Sequence, residues 1–101
     1  MTAVGVIVMN EEQLAKSLNS IGKRSFVEDY EIYSNKELTV QKKIQILTNH
    51  YSSSGATIRV SFAEKVFKNN KQLEALKLII DSLRITQSLK DKAKELIIKN
   101  S

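Results

Sequence analysis

The chain has 101 residues, with 16 Lys plus Arg against 11 Asp plus Glu and a single His, a formal charge of +5 at neutral pH. Its 42% hydrophobic and 27% charged content is ordinary for a globular protein and argues against a disordered tail, a collagen-like fibre or a membrane protein. The length fits one domain over residues 1–101, and the absence of cysteine removes disulfides, thiolate metal sites and a cysteine nucleophile while fitting a reducing cytoplasm. A chain this short buries only about two-thirds of its unfolded surface, so a partner subunit would add stability.

With no proline and only Gly5, Gly22 and Gly55 to interrupt it, most of the chain can be regular structure. The expectation is a mainly α fold, a small bundle of five to six helices. The first segment is the exception. Ala3 to Met9 is a nearly continuous apolar run with Val4, Val6, Ile7 and Val8, which reads as a short N-terminal strand or arm, accessory to the rest over residues 1–8. It is too short to span a membrane and lacks the basic start and cleavage site of a secretory signal.

Beyond it, a short polar residue followed three positions later by an acid or amide recurs, the signature of a capped helix start: Asn10 with Gln13, Ser25 with Glu28, Ser34 with Glu37, Ser61 with Glu64 and Ser88 with Asp91. Leu14, Leu18 and Ile21 make the first apolar stripe, ended by Gly22, a residue suited to the turn after a helix. Phe26, Tyr30 and Tyr33 make a second. Val40, Ile44, Leu47 and Tyr51 lie on one face of a helix from about Asn35 to His50.

The stretch from Ala56 to Val60 supports two readings. Ile58 and Val60 alternate with Thr57 and Arg59 as in a strand, which would pair residues 56–60 with residues 3–9. Ile58, Phe62 and Val66 have helical spacing instead. With Ser61 as a cap, the expected helix covers 62–69 and buries Phe62, Ala63, Val66 and Phe67, and without that cap a longer helix starts near Thr57 and turns Arg59 to its flank. Leu73, Leu76, Ile80 and Leu83, widened by Ile79, and then Leu89, Ala93, Leu96 and Ile97, complete two helices able to pair as a hairpin.

Little points to catalysis. His50 has no second histidine or cysteine with which to hold a metal. Ser52, Ser53 and Ser54 precede Gly55 without a phosphate-loop pattern and read as a solvated connector. Glu28, Asp29 and Glu31 are the one acidic cluster, with Glu28 and Glu31 on the wet side of the helix that carries Phe26, Tyr30 and Tyr33. The aromatic residues share stripes with aliphatic ones, which makes them core rather than stacking platforms for bases. No cofactor, metal site or small-molecule substrate is evident, and the expectation is a protein that is not an enzyme.

The placement of charge is more informative than its sum. Residues 1–35 carry three basic and five acidic groups, residues 72–101 six and four, and residues 36–71 seven basic groups against two acidic ones. A cation surplus on one helix pair attracts polyanions, because neutralising phosphates releases condensed counterions.

That segment also has the outline of a helix-turn-helix over 36–69, with a connector, Tyr51 to Ala56, longer than the usual three or four residues. The expected function is nucleic-acid binding, duplex DNA first, in a regulatory role. Lys42, Lys43, Lys65 and Lys68 would meet phosphates, and Arg59 would reach a base edge, where a guanidinium donates two bonds to guanine. A basic face that is merely solvated is the simpler alternative. The competing class is a protein-interaction module, an adaptor or antitoxin-like regulator, with a homodimer through Leu73, Leu76, Ile80 and Leu83, whose spacing follows a coiled-coil seam for about two heptads.

Overall fold

A computed structural model describes residues 9–101, which form seven helices and no strand. The expected strand or arm over residues 1–8 lies outside the described residues, and its proposed partner over 56–60 is interior to a helix. The helices are α1 (Glu11–Ile21), α2 (Lys23–Glu28), α3 (Tyr30–Ser34), α4 (Val40–Leu47), α5 (Ser53–Lys68), α6 (Gln72–Ile80) and α7 (Gln87–Asn100).

Helix α1 starts and stops where its residues dictate. The Asn10 side chain accepts from the Gln13 amide at 2.8 Å while the Gln13 side chain accepts from the Asn10 amide at 2.9 Å, satisfying two donors that have no partner inside the helix. Gly22 ends it with φ of +91°, a conformation that favours glycine. The inward stripe Leu14, Leu18 and Ile21 is fully buried.

The other expected caps fall elsewhere. Ser25 lies within α2, buried, and shares a 2.6 Å hydrogen bond with the Tyr33 hydroxyl. Ser34 is the last residue of α3, Ser61 sits in mid-α5, and Ser88 is already helical. The residues that cap are Thr39 for α4, Ser52 for α5 and Thr86 for α7, each accepting from the backbone N–H three positions on. Helix α4 therefore spans eight residues, not the interval from Asn35 to His50, and the serines at 53 and 54 are the first turn of α5 rather than a connector. The Phe26, Tyr30, Tyr33 stripe is buried as expected but divided between two short helices at Asp29.

Helix α5 runs through the whole of 53–68, the longest helix described. Ser61 costs little in a helix interior when it faces solvent. The decisive face is Ala56, Val60, Ala63 and Val66, all fully buried at helical spacing. Two alanines in that row let neighbouring backbones come close, and α5 accordingly packs against both α1 and α4. Phe62 and Phe67, expected to be buried, are half-buried, and Phe67 packs against the core with its ring centroid 5.9 Å from Phe26 and 5.4 Å from Tyr30.

Helices α6 and α7 pair as a hairpin. Of the proposed dimer seam, Leu76 is fully buried inside the chain, Leu73 and Ile80 are half-buried against the same core, and Leu83 is 96% exposed in the connector. No described helix is long and apolar enough to cross a membrane.

Candidate nucleic-acid interface

The five basic residues singled out by sequence divide into two groups. Lys42 and Lys43 are successive on α4, and one step of about 100° around a helix gives them opposite surroundings. Lys42 is exposed. Lys43 is 4% exposed, and its Nζ donates to the Tyr33 carbonyl at 2.9 Å and to Glu64 Oε2 at 2.8 Å. Burying an ammonium costs roughly several kcal/mol of lost hydration, which pairing and hydrogen bonds must offset, and this pair of acceptors supplies both. Lys43 thus ties α4 to the end of α3 and to α5, and its charge is answered within the fold.

Arg59 is also held internally. Its Nη1 donates to the carbonyl of Ile21, the last residue of α1, one of the carbonyls that a helix end leaves without a partner. Its guanidinium lies 4.0 Å from the centroid of the Tyr51 ring, within cation–π range. Its Nε is buried with no hydrogen-bond partner. A Cβ built on Gly22 would stand 3.0 Å from Arg59 Nη1, so close approach as well as the positive φ calls for glycine there.

Lys65 and Lys68 remain on the outside. With Ser54, Ile58 and Ser61 they form one exposed stripe along α5 at i, i+4, i+7, i+11 and i+14, and Thr57 is exposed beside it. Ile58 is 50% exposed, and the Lys65 ammonium stands 5.0 Å from the centroid of the Phe62 ring. The stripe contains no acid. The only carboxylate on α5, Glu64, is half-buried against Lys43. Lys42, Lys65 and Lys68 make no ion pair among the described residues, whereas Lys16, Arg24, Lys71 and Lys99 each have one.

Ser54, Thr57 and Ile58 were not among the residues expected at the interface. The signal that finds them is the helical period of 53–68, which is hidden when Ser61 is read as a cap and 56–60 as a strand. The acidic cluster is dispersed into local roles: Glu28 accepts from Arg24 at 3.1 Å, Asp29 from Ser25 at 3.4 Å and Glu31 from Lys99 at 3.1 Å. His50 is exposed at the α4–α5 connector with its ring centroid 6.4 Å from that of Tyr51.

The Ser25 and Tyr33 hydroxyls form a buried polar contact. Burial pushes the Tyr33 phenol from its ordinary 10.0 up to about 12, with the Ser25 hydrogen bond working in the opposite direction. Tyr30 is raised too, again chiefly by burial and secondarily by Glu31. Both phenols are neutral at physiological pH and belong to the core. The chain matches no known protein family, no curated protein and no solved structure.

Proposed function

We propose that the protein binds nucleic acid, duplex DNA in the first place, through the outer stripe of α5 with Lys42 of α4, as a non-enzymatic regulator in the cytoplasm. The observation that carries this reading is the stripe with Thr57 beside it: two unpaired lysines, three hydroxyls and one apolar side chain on the exposed face of a 16-residue helix, with no carboxylate among them. In this reading α4, the connector at 48–52 and α5 act as a helix-turn-helix, with α5 laid in the major groove.

Lys42, Lys65 and Lys68 meet phosphates, which sets register and affinity. Ser54, Thr57 and Ser61 offer hydroxyls to base edges, and Ile58 offers an apolar contact to a thymine methyl. Arg59 and Lys43 support the reading helix from within instead of touching DNA. Fluorescence anisotropy with a labelled duplex tests the reading. Affinity is expected to fall steeply with salt, and Lys65→Glu with Lys68→Glu to abolish binding without unfolding the chain. Absence of binding even at low salt refutes it.

The interaction-module alternative has less surface to work with, since the centre of its proposed seam is occupied by the chain's own core. It keeps Leu83 as an exposed anchor. A strict monomer by light scattering removes the homodimer through Leu73, Leu76, Ile80 and Leu83.

A further inference from the structure

An open cleft of about 450 Å³ lies where the α3–α4 connection faces the C-terminal half of α5, bordered by Lys36, Leu38, Lys43, Glu64, Phe67 and Lys68. That volume falls within the range of small-ligand sites. Its chemistry is divided. Leu38 and Phe67 supply apolar surface, Lys36 and Lys68 are exposed and make no ion pair among the described residues, and Glu64 presents a carboxylate that is still 37% exposed at the side chain. The Lys43 side chain is 95% buried at the cleft wall, and two of the three N–H groups of its ammonium are engaged, by the Tyr33 carbonyl and by Glu64. One donor is left over in a buried, preorganised cation. Three lysines against one glutamate leave the cleft with a surplus of two positive charges.

We propose that this cleft binds a single nucleotide unit. The phosphate sits between Lys36 and Lys68, within reach of the field of Lys43. The planar base lies against Leu38 and the edge of Phe67. Glu64 accepts from N–H groups on the edge of the base, which favours guanine, because guanine presents two adjacent donors to one carboxylate. A bare anion uses only part of this arrangement: it gains from the lysines, leaves the apolar surface uncovered and is opposed by Glu64. The inference is separate from the duplex-binding reading and shares only Lys68 with it. The nucleotide is either free or an unpaired position of a strand, and the chemistry of recognition is the same for both.

Amide chemical shifts of the labelled protein, followed in titrations with guanosine 5′-monophosphate, with inorganic phosphate and with a mixed-sequence single-stranded oligodeoxynucleotide, test the proposal. Saturable shifts confined to residues around Lys36, Leu38, Lys43, Glu64 and Lys68 are expected with the nucleotide, at least about tenfold tighter than with phosphate. Lys36→Glu, on an exposed residue that the fold does not use, is expected to weaken the nucleotide by about tenfold or more. If the oligonucleotide binds the same residues more tightly than the mononucleotide, the source is a strand; otherwise it is a free nucleotide. The proposal is overturned if no ligand shifts these residues, if phosphate binds as tightly as the nucleotide, or if Lys36→Glu changes nothing. Because Lys36 is not part of the α5 stripe, duplex binding with an empty cleft refutes this inference alone, and nucleotide binding without duplex binding refutes only the other reading.

Discussion

The inner and outer faces of the α4–α5 pair carry the same residue types to different ends. Inside, Lys43 is locked between Tyr33 and Glu64, and Arg59 between Ile21 and Tyr51. Outside, Lys42, Lys65 and Lys68 stand without an ion pair among the described residues. The sequence surplus of five in residues 36–71 therefore overstates the charge offered to a ligand by the cations that the fold has enclosed. It also shows how a small core tolerates them: each inner cation finds its acceptors where packed elements meet, Lys43 linking α3, α4 and α5 and Arg59 linking α1 and α5.

Substitutions separate the two faces. The largest effect is expected at Glu64. Glu64→Leu leaves the buried Lys43 ammonium with a single carbonyl and should cost about 3 kcal/mol in denaturant unfolding, with Lys43→Met added in the same chain restoring much of the loss. If Glu64→Leu alone leaves stability unchanged, Lys43 is not held as described.

The next effect is a pH dependence of the core beneath. Because the folded Tyr33 phenol is raised from 10.0 to about 12, its contribution is fully present below pH 10 and is lost as pH rises from 10 toward 12. That loss amounts to on the order of 2 kcal/mol. Ultraviolet titration should show late tyrosinate ionisation from Tyr30 and Tyr33, the latest part of which Tyr33→Phe removes. A complete titration of all tyrosines near the ordinary value contradicts the burial.

Arg59→Ala comes third, at about 1.5 kcal/mol, for the lost contact with the Tyr51 ring and the uncovered carbonyl of Ile21. Its duplex affinity should fall only as far as its folded fraction does. The smallest change in stability is expected outside, where Lys42→Gln or Lys65→Gln should move the unfolding free energy by less than about 0.5 kcal/mol. An equal loss on both faces erases the distinction between them.

Much of this was legible in the chain itself. The helical class, the stripes Leu14, Leu18, Ile21 and Phe26, Tyr30, Tyr33 and the terminal hairpin follow from apolar spacing, and the stop at Gly22 from the conformational freedom of glycine. Helix starts were less legible, because Ser–x–x–Glu recurs by chance and competes with Thr39, Ser52 and Thr86, whose partners are backbone groups that no sequence pattern marks. The strand-like alternation at 57–60 is a local pattern that α5 overrides by burying Ala56, Val60, Ala63 and Val66 together. The fates of Lys42 and Lys43 were not legible. Which neighbour turns inward depends on where α3 and α5 place a carbonyl and a carboxylate, distances of 10 and 21 residues along the chain.

The most direct test of the outer face is the slope of log affinity for duplex DNA against log salt, measured for the wild type and for Lys42→Gln with Lys65→Gln. If these lysines each neutralise a phosphate, the variant binds more weakly and its slope is shallower by about 0.9 for each lysine removed. An unchanged slope, or a wild type that does not bind at low salt, contradicts the assignment of this face to nucleic acid.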